Sequence, residues 1–157
     1  MADEGTRRRI EDMIRDYAHC IDDDRLEDWP GFFVEKGIYR IVTRETFERG
    51  MPVGVMTCTS RGMMQDRVLS LRQANIYEPH VYRHLISAIS VQPDDSGAWT
   101  GRTSFAVIRT MQEGAMSIFA AGRYLDRIVL EDGAPRFAER VAVLDSRRID
   151  TLIVIPL

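Results

Sequence analysis

The sequence predicts an α+β fold, with N-terminal helices packed on one face of a strongly curved, mainly antiparallel sheet. Three observations predict it. Apolar residues near the start recur at period 3.6. From Gly37 the period shifts toward two. The second half is a series of long strand-like runs separated by turn chemistry. A chain of 157 residues is expected to form one domain, 1–157, large enough to bury a core without disulfides.

The first helix is read from Ile10, Met13, Ile14, Tyr17, Ala18 and Ile21, which fall on one stripe, with Thr6 as its N-cap. The run Asp22-Asp23-Asp24 ends it. Asp24 then starts a short second helix, with Glu27 completing a capping box and Leu26, Trp29 and Phe33 on its buried face. Pro30 and Gly31 keep that helix short. Ile38 to Phe47 and Val53 to Thr59 read as strands, divided by Gly50 and Pro52. Residues 61–75 return to helix, with Met64, Val68, Leu71 and Asn75 on one face. Strands follow at 82–92, 98–111, 116–130 and 135–145, with a last apolar segment at 150–155. Strands this long make the sheet twist and curl.

The last hairpin permits a register argument. A two-residue loop at Asp132-Gly133 sets Asp126 opposite Glu139, two like charges. A three-residue loop, 132–134, sets Arg127 opposite Glu139, Leu125 opposite Val141 and Val129 opposite Phe137. The longer loop is therefore expected. Segment 136–145 does not alternate, because both faces carry apolar residues, and the chain ends in the apolar run Thr151–Leu157. Either another subunit covers these surfaces, or the curled sheet encloses its own interior and the terminus completes it.

Composition narrows the function. Apolar residues are 45% and charged residues 29%, which argues against disorder. A net charge of −3 argues against nucleic-acid binding. No run of 18 apolar residues exists, and no apolar stretch follows the basic Arg7-Arg8-Arg9, so neither membrane span nor secretory signal is expected. Cys20 and Cys58 match no zinc or redox spacing, so a cytoplasmic protein with reduced thiols is expected. Lys36 is the only lysine among 21 Lys+Arg, a bias that genome composition accounts for as well as function does.

The familiar catalytic motifs are missing. His80 and His84 form H-x-x-x-H, but they read as strand, where four residues span roughly 13 Å, too far for one metal. His19 adjoins Cys20, yet adjacent helical residues point apart. No C-x-H or C-x-x-H pair supports a Rieske cluster, and no two-histidine, one-carboxylate iron motif is visible. Neither a nucleophile elbow nor a P-loop occurs. Gly122 inside a strand marks a bulge or bend. An Asp–His pair in a cavity stays open, with Asp24, His84 and Tyr17 as the residues that face inward.

The order of elements resembles the NTF2-like (SnoaL-like) cone. Within it, Asn75-Ile76-Tyr77-Glu78-Pro79-His80-Val81-Tyr82-Arg83-His84-Leu85-Ile86 resembles the central segment of the small (β) subunit of aromatic-ring-hydroxylating dioxygenases. Phe119–Asp126, Arg140–Ser146, the ending Asp150–Leu157 and Trp29-Pro30-Gly31-Phe32-Phe33 are similar to further segments of that family. The compact length and ending look most like members acting on benzoate-type acids such as terephthalate, anthranilate or salicylate.

The resemblance implies a non-catalytic subunit with no metal or cofactor of its own. The Rieske [2Fe-2S] cluster and mononuclear Fe(II) belong to the large (α) subunit, and electrons come from NAD(P)H through a reductase. It implies an α3β3 assembly built on a β trimer, with Tyr82, Arg83, His84, Arg123, Arg148 and Leu157 as candidate interface residues. The alternative is a free-standing cone enzyme, a dehydratase or isomerase, using Asp24 and His84.

Overall fold

The computed structural model describes residues 2–51, 54–74, 77–147, 153 and 155–157. Helix α1, Ala2–Asp22, starts before the expected Thr6 cap. Asp3 and Glu4 complement the positive end of the helix dipole, and both pair with Arg7. Its apolar stripe, Ile10, Met13, Ile14, Tyr17, Ala18 and Ile21, is buried as the spacing requires.

Asp24 does not cap a second helix. It sits in the left-handed region at φ 59° and closes the first helix. The Asp24 N–H reaches the Ile21 carbonyl at 3.1 Å and the Arg25 N–H reaches the Cys20 carbonyl at 2.9 Å, a Schellman ending. The segment Leu26–Phe32 is a 3₁₀ helix whose N-cap is Arg25. Leu26 and Trp29, with Phe33 after it, are fully buried as expected.

Strand β1, Phe33–Thr43, ends earlier than the apolar pattern suggested. Thr43 accepts the Thr46 N–H at 3.2 Å and so starts a short helix, α2, Arg44–Glu48, braced by Arg44–Glu48 and Arg49–Glu45 pairs. This helix replaces the second half of the expected strand. Of the expected strand Val53–Thr59, β2 spans Met56–Cys58, and Val53 lies outside the described residues. Ser60 caps α3, Arg61–Gln73, which buries Met64, Val68 and Leu71; Asn75 lies outside the described residues.

Four long strands follow: β3, His80–Pro93; β4, Trp99–Met111; β5, Met116–Glu131; and β6, Ala134–Leu144. The six-stranded sheet has the order β2-β1-β6-β5-β4-β3. Among the described residues, only the β1–β6 pairing is parallel. Extra residues on three strands curl the sheet: Ala88-Ile89 on β3, Phe119 on β5 and Ala138 on β6. The concave face holds the main core, with α1 lying across it.

The last hairpin corrects the expected loop. Asp132 and Gly133 both have positive φ, 52° and 80°, and Glu131 pairs with Ala134, so the loop has two residues. The bulge at Ala138 then shifts the register by one. Arg127 faces Glu139 and Leu125 faces Val141 as expected, but Val129 faces Arg136 rather than Phe137. The like-charge clash that argued against the short loop is removed by the bulge.

The apolar residues on both faces of β6 are also accounted for within the chain. Val141 and Val143 form a small buried cluster with Val42, on the side where α2 packs against β1 and β6. Of the expected last segment 150–155, only Ile153 and Ile155 lie among the described residues; both are buried, and neither is in a strand.

Candidate functional site

The interior of the curled sheet is unusually polar. Asp22, at the last turn of α1, meets His84 on β3. One carboxylate oxygen accepts the His84 backbone N–H at 2.8 Å, and the other sits 2.6 Å from Nδ1. Both side chains are almost completely shielded from solvent. With Nδ1–H donated to the carboxylate, Nε2 is the free ring nitrogen, and it is buried without a partner among the described residues.

A second group surrounds Arg140. Its Nε and Nη2 donate to the two oxygens of Asp126 at 2.9 and 3.1 Å, a fork-on-fork pair with both side chains fully buried. The guanidinium carbon lies 3.7 Å from the Tyr124 ring centre, 4.3 Å from Tyr17 and 4.4 Å from Phe137. Phe105 stacks on the outer side of Tyr124 at 4.2 Å. Burial is the main influence on Asp126 and pushes its carboxyl up, with Arg140 pulling the other way. Arg140 Nη1, Tyr124 Oη and Thr103 Oγ1 have no hydrogen-bond partner among the described residues.

A third group holds Leu157. Trp29 Nε1 donates to Tyr17 Oη at 3.1 Å, and that hydroxyl donates to the Leu157 carbonyl oxygen at 2.7 Å. Tyr39 Oη donates to the same oxygen at 3.0 Å and accepts the Leu157 N–H at 2.8 Å. Burial raises the Tyr17 phenol to about 12 and the Tyr39 and Tyr124 phenols well above their ordinary value.

The sequence candidates separate cleanly. His84 and Tyr17 are inside, but Asp24 is not with them. Asp24 and Glu27, the expected capping box, both clamp Arg72 of α3, at 3.0 and 2.8 Å. The partner of His84 is Asp22. Tyr82 and His84 are buried, with Tyr82 stacked on Phe119, so neither presents a free surface. Leu157 is fully buried in its own chain and is corrected from an interface residue to a core residue. Arg83 is exposed on the convex face. Arg123 is half-buried, over the Phe47 ring at 5.8 Å. Arg148 lies outside the described residues.

Sequence reasoning missed Asp22, Asp126, Arg140, Tyr39 and Tyr124. One signal was available: the register that sets Arg127 opposite Glu139 also sets Asp126 opposite Arg140. A wider cleft of about 830 Å³ lies elsewhere, between Asp12, Asp16, Asp28, Asp132 and Arg136, and none of these interior groups lines it. Among the described residues no group of three or more His, Cys, Asp or Glu could hold a metal.

A helix-lined, curled sheet with its polar groups turned inward is the architecture of a SnoaL-like domain, and the family model for that domain matches residues 5–141. The chain belongs to this family and, within it, to the small subunits of aromatic-ring dioxygenases. It is 40% identical to the β1 subunit of the terminal oxygenase component of terephthalate 1,2-dioxygenase from a Comamonas species, over 90% of this chain and 92% of that one. It is 37% identical to the anthranilate 1,2-dioxygenase small subunit of Burkholderia cepacia, over 90% and 88%. Among solved structures, a protein of Novosphingobium aromaticivorans described as the β subunit of an aromatic-ring-hydroxylating dioxygenase matches with a TM-score of 0.88 and 37% identity, covering 98% of each chain.

Proposed function

We propose that this chain is the non-catalytic β subunit of a Rieske-type ring-hydroxylating dioxygenase, acting as one structural unit that holds large subunits in register. The relatives at 37–40% identity support this reading, and their names suggest a carboxylated aromatic ring as the substrate class. The large subunit would carry the Rieske [2Fe-2S] cluster and the mononuclear Fe(II), with NAD(P)H supplying electrons through a reductase. The assembly would be cytoplasmic α3β3 built on a β trimer.

The observation that carries the reading is on the convex face. Paired positions on β3, β4 and β5 form a stripe: Val81, Thr110 and Met116, then Arg83, Ile108 and Ile118. Val81, Met116 and Ile118 are 60%, 69% and 75% exposed, and Leu85 beside them is 53% exposed. Large apolar side chains clustered in the open mark a surface built to be covered. Arg83 lies within this stripe.

Purification of the tagged chain from its native host, with native mass and iron content, tests the proposal. Recovery in equal numbers with a larger iron- and sulfide-containing chain is expected. A small iron-free oligomer with no partner overturns it. The Asp22–His84 pair favours a second reading, a free-standing dehydratase or isomerase, because a buried carboxylate that orients an imidazole is an arrangement suited to proton transfer. In that reading Asp22 replaces Asp24, and the lone oligomer would be active without a partner.

A further inference from the structure

Five arginines on the helices are matched within the chain. Arg7, Arg15, Arg44, Arg49 and Arg72 each form an ion pair with a carboxylate. Five on the sheet are not. Arg102 on β4 and Arg127 on β5 alternate with the buried Thr103 and Ile128, so they point to the convex side, and both are exposed. Arg123 on β5 and Arg40 on β1 share that face, half-buried, and Arg83 stands at its apolar end. None of these five forms an ion pair among the described residues. Glu139 stands opposite Arg127 across the ladder, yet no ion pair joins them. Arg127 acts on Asp94 through its field alone.

The chain carries a net charge of −3, so its negative excess lies elsewhere. Part of it gathers at the cleft of about 830 Å³ between α1, the 3₁₀ helix and the β5–β6 turn. Asp12, Asp16, Asp28 and Asp132 line this cleft against Arg9 and Arg136. Those two arginines are turned onto main-chain oxygens, Arg9 onto Gly133 and Arg136 onto Pro135. Asp16 and Asp132 form no ion pair among the described residues. Met13 and Phe32 add apolar wall. Because α1 lies across the concave face, the acidic cleft and the arginine face belong to opposite sides of the molecule.

Arginine is suited to fixed pairing with carboxylates, and arginine beside large apolar side chains is the composition of a protein interface. A chain whose opposite sides are complementary docks head to tail, and such contacts close into rings. We propose that the arginine face of one copy docks into the acidic cleft of the next copy, with Arg102 and Arg127 set against Asp12 and Asp16. This rests on the β-subunit reading above and assigns the two surfaces of its contact between copies.

Sedimentation of the isolated chain tests it, with circular dichroism as the check on folding. The wild type self-associates, and more weakly as salt rises. Arg102→Glu with Arg127→Glu weakens association by about tenfold or more, and so does Asp12→Arg with Asp16→Arg, because like charges then meet. All four substitutions in one chain restore association, because both faces change sign together. If that chain does not fold, the two paired variants mixed in equal amounts show the same recovery. Arg102→Ser with Arg127→Ser serves if the glutamate pair disturbs the sheet. A monomeric wild type, association untouched by the arginine pair, or no recovery from either combination overturns the proposal. So does an arginine variant that self-associates normally but no longer co-purifies with the large subunit, a result that spares the reading beneath it. A wild type that self-associates as expected and recovers no large subunit overturns that reading and leaves this contact standing.

Discussion

Phe137 and Arg140, three residues apart on one strand, both point into the cone. Strict alternation forbids this. The extra residue Ala138 resolves it, because Ile128 pairs with Phe137 while Asp126 pairs with Arg140. One bulge therefore delivers both the floor of the aromatic cage and the cation inside it. Buried ion pairs add little net stability when whole, but breaking one leaves an uncompensated charge. Arg140→Ala is expected to cost about 3–5 kcal/mol, because Asp126 is then stranded. Arg140→Met combined with Asp126→Leu recovers most of that loss. Urea unfolding of the single and double variants checks it, and an additive double variant would falsify the coupling.

Gly122 has the least room for a side chain of any glycine in the chain. A Cβ there would lie 1.9 Å from the Val143 carbonyl oxygen, a backbone atom that cannot rotate away. Gly122→Ala is expected to destabilise by at least ~3 kcal/mol, or to prevent recovery of folded chain. Circular dichroism melting decides, and a melting temperature within a few degrees of wild type contradicts the geometry.

The α+β order, the α1 stripe and the run of long strands were legible because each rests on local periodicity over many residues. The bulges were not. Ala138 lies in the mixed run Arg136-Phe137-Ala138-Glu139-Arg140, and nothing local marks it as the residue left out of the ladder. The same gap hid the Arg140 site, since Arg140 and Phe137 read as opposite faces. Asp24 was misassigned for a different reason: an acidic residue before a short apolar helix is the signature of an N-cap, and only the backbone geometry shows a C-terminal stop. Asp22 was passed over because it looked like part of that stop.

His84→Ala separates the two functional readings. Asp22 keeps the His84 backbone N–H but loses its ring partner, so stability falls by about 1–3 kcal/mol. In the purified assembly, turnover is expected to stay within a few-fold of wild type. A thousandfold loss with the assembly intact moves the chemistry onto this chain.

Ile118→Asp and Leu85→Asp probe the convex stripe. Both side chains are exposed, so the isolated chain should keep its stability within about 0.5 kcal/mol. A charge in a covered apolar interface is costly, so co-purification with the large subunit or self-association should fail. Normal assembly by both variants would show that this face is free.

Alkaline titration reads the interior directly. The chain has five tyrosines. Burial raises Tyr17 to about 12 and holds Tyr39, Tyr82 and Tyr124 above the ordinary phenol value. In the unfolded chain these phenols lose their protons near pH 10. The unfolded state then binds fewer protons than the native one, so stability falls as pH rises past about 10. Tyrosinate absorbance should therefore stay well below its five-residue total until the chain opens. The remaining signal should then appear together with the loss of near-ultraviolet circular dichroism. Full ionisation near pH 10 with the fold intact would mean that water reaches the Tyr17–Tyr39–Leu157 cluster.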